Sequence, residues 1–301
     1  MRFIRWLVQA GVLGVSAVQL AGFGQAVHPL FDSVAHFRLH LAVLLALGIV
    51  LLLLVRSWRL AAAGSAMLAA SVFLMSPALV RQKPVTMVNL SLLQFNTLFK
   101  NPTPTAIVAQ VSRVRPDVIT LQEVSKTTSI IMEQLRADYP HQVFCPFTAV
   151  GGVAVLSRHE TVGEGCEEGR GFAWMRIDIR GRQVTVASVH LHWPYPFAQA
   201  DQISSLTPDL SSLTQPVVIA GDFNAAPWSH QVNRIAQASH THVAPGLRLS
   251  LKMAPLGVGP WPMLPIDHVL VPDSAVASVR ILPGAGSDHL PLLARVSIPS
   301  P

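Results

Sequence analysis

The stretch VVIAGDFNAAPWS, residues 217–229, places an aspartate and an asparagine at the end of an apolar run. Its first residues are typical of a buried strand, and Asp222 and Asn224 follow two positions apart. Because residues i and i+2 of an extended chain point to the same side, both side chains should project together from the strand end. A carboxylate beside a carboxamide is suited to handling a water molecule and a phosphoryl oxygen, a hypothesis that needs further groups from elsewhere in the chain.

The beginning of the 301-residue chain differs in composition from the rest. It contains three long apolar segments, at about 6–27, 39–55 and 60–80. A helix of about 20 apolar residues spans the hydrocarbon of a bilayer. We therefore predict a membrane anchor of three transmembrane helices over 1–83, followed by a globular domain over 84–301. A signal peptide followed by buried core helices is disfavoured, because nothing nearby could cover such helices in water.

Basic residues near the apolar segments predict how the anchor crosses the membrane. Two arginines precede the first segment, and Arg56 and Arg59 lie in the short turn between the second and third. The positive-inside rule places these residues in the cytoplasm, so three crossings put the globular domain outside it. Arg81 and Lys83, which follow the third segment, oppose this orientation.

The net charge of +6 belongs entirely to the anchor. Residues 1–83 contain seven basic residues and one acidic residue, whereas residues 84–301 contain fifteen of each kind. Proteins that bind long nucleic acids normally present a basic face, because phosphate neutralisation supplies most of their affinity. The bulk charge therefore gives no support to a polyanionic substrate. Cys145 and Cys166 could form a disulfide outside the cytoplasm or remain two free thiols, and two cysteines alone make no metal site.

The globular part contains many strand-like runs and few helices. Helical spacing and caps predict helices over 105–116, 125–140 and 197–210, and the region around His230 reads as a polar loop. Apolar runs predict strands over 88–96, 117–123, 151–158, 217–224, 267–271 and 288–298, and two alternating runs around Arg180–Arg182 predict a hairpin over 172–190. This pattern favours a sheet-rich α/β sandwich over a doubly wound sheet, and no Gly-x-Gly-x-x-Gly is present.

Polar side chains recur at the ends of these apolar strands. One such residue is usually a strand end that faces water, but several at the same kind of position indicate a shared pocket at one edge of packed sheets. The residues are Asn96, Glu123, His190, Asp222, Asn224, Asp267, Asp288 and His289. His192 and His268 are neighbours of two of them, but they should point to the other side of their strands, which favours structural roles.

The motifs that carry these residues resemble those of the endonuclease/exonuclease/phosphatase superfamily, the deoxyribonuclease-I-like phosphoesterases. In chain order they are LLQFN, VITLQE, SVHLH, AGDFNAAP, IDHVL and GSDHLPL, over about residues 88–297. The resemblance implies a four-layered α/β sandwich and metal-dependent hydrolysis of a phosphate ester. The chain also resembles the membrane-anchored bacterial members with three spans that are linked to cell-envelope metabolism and glycopeptide resistance. This implies a bacterial inner or plasma membrane protein whose catalytic domain lies outside the cytoplasm.

The resemblance also implies roles for the strand-end residues. Glu123 resembles the principal magnesium ligand, helped by Asn96 and Asp288. Asp222 resembles the residue that orients or deprotonates the attacking water. Asn224 and His190 resemble the hydrogen-bond donors to the phosphoryl oxygens. His289, paired with Asp267, resembles the family's His–Asp dyad beside the phosphate.

The chemistry is reasonable without the resemblance. Mg²⁺ prefers oxygen ligands and needs only one or two carboxylates, because substrate and waters complete its octahedron. We therefore expect Mg²⁺, with Mn²⁺ as an alternative, and a zinc site is less consistent with a cluster rich in oxygen and amide groups. The set contains no Ser or Cys nucleophile, which favours direct attack by water. A histidine held by a carboxylate can stay protonated near neutral pH and stabilise negative charge.

The substrate class is left open by the family, whose members hydrolyse nucleic acids, inositol phosphates and lipids. The neutral domain, its short tether to the bilayer and the aromatic loops near the predicted site favour a membrane-associated substrate, either a phospholipid or a polyprenyl pyrophosphate. Those loops, around Trp193–Phe197, Trp228 and Trp261–Pro265, could instead simply pack under the domain. The alternative activity is a membrane-bound nonspecific nuclease acting on DNA or RNA, and a catalytically inactive binding domain is disfavoured by the full motif set.

Overall fold

Four helices precede the first strand of the protein. The computed structural model describes residues 2–254 and 258–299. The helices are α1 (Arg2–Phe23), α2 (Pro29–Ala35), α3 (Arg38–Leu54) and α4 (Trp58–Leu79). By length and composition α1 and α4 can each cross a membrane, and the α2–α3 pair, bent by 60°, makes a third span if it is taken as one. The first helix therefore ends before residue 27, because the chain turns at Gly24 and restarts at Pro29.

The short helix α2 lies directly against the globular domain. The carboxylate of Asp32 is buried and accepts hydrogen bonds from the Ser229 hydroxyl at 2.7 Å and from the His230 amide at 2.8 Å. The indole nitrogen of Trp228 is also buried and donates to the carbonyl oxygen of Ala35 at 2.7 Å. These contacts join the anchor to the segment that follows the GDFN motif.

Two six-stranded sheets form the centre of the globular domain. The first has the order β13-β14-β1-β2-β4-β3 and the second has the order β5-β6-β7-β8-β12-β9. In each sheet one central pair is parallel, β1 with β2 and β7 with β8, and the other pairs are antiparallel. The strands are β1 (Leu90–Asn96), β2 (Val118–Val124), β3 (His141–Thr148), β4 (Gly151–Ser157), β5 (Thr161–Glu167), β6 (Phe172–Ile179), β7 (Arg182–His190), β8 (Val217–Asp222), β9 (Thr241–Val243), β12 (Asp267–Pro272), β13 (Val276–Ile281) and β14 (Leu292–Ser297), and a separate hairpin pairs β10 (Leu251–Met253) with β11 (Trp261–Leu264).

The sheets pack face to face and helices cover their outer faces. Leu92 and Val155 of the first sheet meet Val186 and Val269 of the second in a core that excludes water. The outer face of the first sheet is covered by α5 (Pro104–Val114) and α6 (Ile130–Leu135), and that of the second by α7 (Gln199–Ser212) and α8 (His230–Ala238). The predicted four-layered α/β sandwich is confirmed.

Two helix predictions were wrong in detail. The helix expected over 125–140 is confined to Ile130–Leu135, because the preceding residues form turns in which Ser125 and Thr128 bond to each other's backbone and side chains. The region read as a polar loop around His230 is helix α8, whose N-cap Ser229 accepts a hydrogen bond from the amide of Gln231.

The two cysteines form a disulfide. Cys145 lies on β3 at the edge of the first sheet and Cys166 on β5 at the edge of the second, with 5.2 Å between their Cα atoms. The bond therefore ties the two layers together at one side of the sandwich. Disulfides of this kind persist in oxidising compartments and are rare in the cytosol.

Candidate active site

The strand registers bring the predicted residues to one edge of the sandwich. On the second sheet Asp222, the last residue of β8, pairs with His190 at the end of β7 and with Asp267 at the start of β12. On the first sheet Asn96 ends β1, beside Gln122 of β2. Because the two sheets face each other, these ends meet across the sandwich.

Asp222 is at the centre of this group. One of its carboxylate oxygens accepts from the backbone amide of Asn224 at 2.9 Å, and the other accepts from the side-chain amide of Asn96 at 2.9 Å. The same second oxygen lies 3.6 Å from Nε2 of His289 and 3.7 Å from Nε2 of His190. Burial raises the pKa of Asp222 to about 7, against the lowering effect of the charge on His289. A carboxylate with a pKa near the working pH is well placed to accept a proton.

Glu123 lies next to this centre on the first sheet. One carboxylate oxygen accepts from the side-chain amide of Asn96 at 3.1 Å, and the other accepts from the backbone amide of Phe99 at 2.9 Å. Its φ of +55° is in the left-handed region, which an L-residue rarely adopts. Here the chain leaves the regular β2–β4 ladder, so the Glu123 side chain turns into the cleft.

His289 and Asp267 form a buried pair. Nδ1 of His289 lies 2.7 Å from an Asp267 oxygen, and the other oxygen of Asp267 accepts from the side-chain amide of Gln94 at 2.8 Å. Burial alone would lower the pKa of His289, but the negative charges of Asp267 and Asp222 raise it to about 10. Although burial acts to raise it, the charge and hydrogen bond of His289 hold the pKa of Asp267 below its ordinary value. The two carboxylates therefore favour the protonated, positively charged form of His289 beside Asp222.

Asn224 and His190 line the cleft, and each has a buried polar atom without a partner in the described ranges. The Asn224 amide donates to the carbonyl of Leu191 at 2.8 Å, and its oxygen has no hydrogen-bond partner in the part of the chain that the structure describes. The same holds for Nδ1 of His190 within residues 2–254 and 258–299. Burial, with the charge of His289 adding to it, lowers the pKa of His190 to about 3, so this ring is neutral. Buried polar atoms of this kind are normally paired, which points to a ligand.

Asp288 differs from the others because it is exposed. It lies beside His289 at the rim of a cleft of about 360 Å³ and receives a 3.3 Å contact from the hydroxyl of Ser287. Six of the eight predicted residues line this cleft: Glu123, His190, Asp222, Asn224, Asp288 and His289. Asn96 and Asp267 lie behind them and hold their side chains through hydrogen bonds.

Sequence reasoning missed the support behind the site. Gln94 donates to Asp267 and also to the side-chain oxygen of Gln122 at 2.8 Å, and Gln122 donates in turn to the hydroxyl of Ser188 at 3.0 Å. All of these side chains are buried. A glutamine inside each of two apolar strands was the available signal, because a buried amide must find hydrogen-bond partners. His192 lines the cleft and does not point away from it as predicted, whereas His268 is buried 2.7 Å from the Ala225 carbonyl.

The donor set fits a divalent cation. Asp222, Asp267 and His289 offer ligand atoms that all lie within 4.8 Å of one another. A protonated His289 cannot be a metal ligand, however. Its Nδ1 and one oxygen of Asp267 are also already hydrogen-bonded to each other. Glu123 and Asp288, which both line the cleft, supply the carboxylate oxygen atoms that a hard cation prefers.

A larger cavity of about 850 Å³ adjoins the cleft. The two share Phe99, Phe147 and Thr148, and the Phe147 ring lies 5.4 Å from the ring of His190. Three basic side chains line the larger cavity, namely Lys100, Lys126 and Arg136.

Comparison with known proteins identifies the family of the chain. Residues 93–289 match the model of the Endonuclease/Exonuclease/phosphatase family. The chain belongs to this family, and it is a metal-dependent phosphoric ester hydrolase. The match begins in β1 and ends at His289, so it spans all eight predicted residues.

Several solved structures share the fold at low sequence identity. The endonuclease/exonuclease/phosphatase from Bacteroides vulgatus is 16% identical with a TM-score of 0.57, over 70% of this chain and 99% of that one. The human Nocturnin catalytic domain with bound sulfate anion is 19% identical with a TM-score of 0.54, over 71% and 96%. A beta toxin variant from Staphylococcus aureus with bound magnesium ions is 14% identical with a TM-score of 0.53, over 68% and 99%. No curated protein matches the sequence.

Proposed function

We propose that the protein is a Mg²⁺-dependent phosphohydrolase that acts on a membrane lipid, either a phospholipid or a polyprenyl pyrophosphate, by direct attack of water. The observation that carries the proposal is the position of the cleft. Its buried carboxylate, amide and imidazole groups face the same space, and Trp193 and Asn224 connect that space to the helices of the anchor. A phosphate in the cleft would thus lie beside the region that is apolar enough to enter a bilayer.

Glu123, Asn96 and Asp288 are the proposed magnesium site. Bound Mg²⁺ would polarise the phosphoryl group and relieve its negative charge. Glu123 and Asp288 are the direct ligands in this proposal, since both carboxylates line the cleft. Asn96 donates to both Glu123 and Asp222, so it would hold the ligand and the base at a fixed separation.

Asp222 is the proposed general base. Its raised pKa, its burial and the absence of a Ser or Cys side chain among the eight site residues support deprotonation of a water rather than of an enzyme nucleophile. His289, protonated and held by Asp267, would stabilise the charge that develops on the phosphoryl oxygens. The neutral His190 and the second N–H of the Asn224 amide, whose first N–H bonds to Leu191, would donate hydrogen bonds to the same oxygens.

We further propose that the anchor spans the membrane three times and that the catalytic domain lies outside the cytoplasm. An odd number of spans places the α1–α3 connection on the same side as the catalytic domain, which is consistent with the contacts of Asp32 and Trp228. The Cys145–Cys166 disulfide is consistent with an oxidising compartment. In a bacterial host, alkaline phosphatase fused to the C-terminus should be active and a cytoplasmic fluorescent reporter dark. The reverse pattern would refute this orientation.

One observation favours the alternative of a membrane-bound nuclease. Lys100, Lys126 and Arg136 line the cavity beside the cleft, and such a basic arm could follow the phosphates of a nucleic acid. Replacement of Lys100 and Lys126 by alanine would then weaken DNA cleavage strongly and flatten its dependence on salt. On a lipid substrate the same double variant should retain most of its activity.

The full-length enzyme in lipid nanodiscs tests the proposal directly. It would be offered a polyprenyl pyrophosphate, a phospholipid, plasmid DNA and RNA, each with Mg²⁺ and with a chelator, and phosphate release or strand cleavage would be measured. We expect turnover of a lipid substrate with Mg²⁺ and none with the chelator, restored when Mg²⁺ is added back. Cleavage of plasmid without turnover of either lipid would reverse the assignment in favour of the nuclease.

A further inference from the structure

A second cavity connects the catalytic cleft to the anchor. It has a volume of about 220 Å³, and two residues, Trp193 and Asn224, line both the cavity and the cleft. Asn224 is one of the proposed phosphate-binding residues, so the cavity begins where a bound phosphate would end. A carbon atom of a hydrocarbon chain needs about the volume of a water molecule in the liquid, about 30 Å³. The cavity therefore has room for a short length of such a chain.

The cavity has one wall from each part of the molecule. The anchor contributes Ser33 and the bend between α2 and α3, including Phe37. The catalytic domain contributes the loop after β7, from Trp193 to Phe197, and the floor formed by Leu264. Among the described residues, no Lys, Arg, Asp or Glu lines this space, in contrast to the larger cavity with its three basic side chains.

Hydrogen bonds hold the two walls in place. The Ser33 hydroxyl donates to the carbonyl oxygen of Tyr195 at 3.1 Å, directly across the cavity. The bonds of Asp32 to Ser229 and His230 fix α2 on the domain a few residues away. The arrangement is thus a built passage and does not depend on a chance approach of two mobile segments.

The far end of the passage reaches the membrane-spanning part. Phe37 is the N-cap residue of α3, and its side chain is 48% exposed. Tyr195 and Phe197 of the opposite wall are 44% and 64% exposed. Exposed aromatic side chains beside a membrane helix are typical of the level where headgroups meet hydrocarbon.

We infer that this passage binds the hydrocarbon chain of the substrate while its phosphate occupies the catalytic cleft, so that the α2–α3 bend of the anchor forms half of the substrate site. The inference rests on the proposed function and adds to it a path for the substrate. It commits to an apolar chain attached to a phosphate, whether isoprenoid or acyl. A long nucleic acid would not use the passage, because none of its lining side chains described here is a Lys or Arg that could pair with phosphates.

The test compares lipid and soluble substrates on the full-length enzyme in nanodiscs. The lipids are a polyprenyl pyrophosphate and a long-chain phosphatidic acid, and the soluble substrate is bis(p-nitrophenyl) phosphate. Phe37→Glu and Phe197→Glu place a charge on opposite walls, and Val162→Glu places one on exposed β5 as a control. We expect both passage variants to lower the ratio of kcat/KM for lipid to that for soluble substrate at least tenfold. Whichever lipid shows the effect identifies the chain as isoprenoid or acyl.

A measurement on the unaltered enzyme protects the test from misfolded variants. A lipid phosphate with a photoreactive diazirine in its chain would be bound and irradiated, and labelled peptides would be identified by mass spectrometry. We expect labels on the segments around Phe37 and Phe197. Labelling confined to the larger cavity with its three basic side chains, or unchanged substrate ratios in both passage variants, would overturn the inference while leaving lipid hydrolysis intact. An enzyme that hydrolyses no lipid would instead overturn the proposed function itself.

Discussion

The anchor and the catalytic centre depart from the usual distribution of side chains in opposite directions. In α1 and α4, large apolar side chains such as Trp6 and Phe73 are exposed. In the catalytic centre, ionisable side chains such as Asp222, Asp267 and His289 are almost completely buried. Neither arrangement is stable in water without compensation. The first is what a bilayer favours and the second is what a charged ligand favours, so both regions are consistent with the proposed enzyme at a membrane surface.

Replacement of Asp222 tests whether the buried charges serve catalysis and not stability. We expect Asp222→Asn to lower kcat by about 10² or more, because the proton acceptor is lost. The thermal midpoint should change little, because the easier burial of an amide offsets the loss of one of the two hydrogen bonds that the carboxylate accepts. The matched control is Asp273→Asn, whose side chain is 76% exposed. Near-normal turnover by Asp222→Asn would mean that the site has been misplaced.

Replacement of Glu123 tests the metal site separately from the base. Glu123→Gln keeps the size of the side chain and removes its charge, so we expect the Mg²⁺ concentration for half-maximal activity to rise by about 10-fold or more. The measurement is a titration of chelated enzyme with Mg²⁺. Glu164→Gln on the exposed side of β5 should titrate as the wild type does. An unchanged titration for Glu123→Gln would remove this residue from the metal site.

Much of this comparison could be predicted from the sequence. The apolar segments and the strand-end polar residues are local signals, since each depends on a short run of side chains. Parallel β1–β2 and β7–β8 pairs then explain why residues as distant as Asn96 and Asp222 meet. The family motifs supplied the pairing of Asp267 with His289, which spacing alone does not define.

The parts that could not be predicted depend on contacts between segments far apart in the chain. In the sequence Asp32 is only an isolated acidic residue. Its role as a cap on α8 requires a contact between two elements that are almost two hundred positions apart. Gln94 likewise reads as an odd residue in an apolar strand until Asp267 and Gln122 lie next to it. Helix α6 is shorter than its periodicity predicts, because side-chain hydrogen bonds in the preceding turns compete with the helical ones.

Replacement of Asp32 tests the opposite side of the comparison, a buried carboxylate that serves structure. Asp32→Ala removes the acceptor of the Ser229 hydroxyl and of the His230 amide. We expect the free energy of unfolding to fall by about 2 kcal/mol, because buried donors lose their partners. This corresponds to a fall of roughly 4–8 °C in Tm for a protein of this size. Asp138→Asn, an exposed change, is the control for the measurement in detergent. Turnover of a soluble phosphodiester should fall far less in Asp32→Ala than in Asp222→Asn. An equally large fall would contradict the assignment of a structural role to Asp32 and a catalytic role to Asp222.

Asp117 lies at the end of the first sheet opposite the site. Its replacement should have the smallest effect on stability, and that effect can be tested by changing the pH. Its carboxylate accepts from the amide and hydroxyl of Ser91 and lies 2.9 Å from Nε2 of His159. Although partial burial acts to raise it, these bonds hold the pKa of Asp117 below its ordinary value of 3.8. A carboxyl group with a lowered pKa in the folded state stabilises the fold above its unfolded pKa, and this contribution is lost as the pH falls through the lowered value.

Asp117→Asn should therefore cost about 1 kcal/mol at pH 7, and the cost should be similar at pH 5. As the pH falls below the ordinary value of 3.8 and through the lowered pKa of the folded state, Asp117 of the wild type takes up a proton and the same contribution is lost, so the two proteins should converge. Thermal midpoints of the full-length protein at pH 7, 5 and 3 provide the measurement. A difference that widened in acid would show that His159, and not the charge of Asp117, controls this corner of the fold.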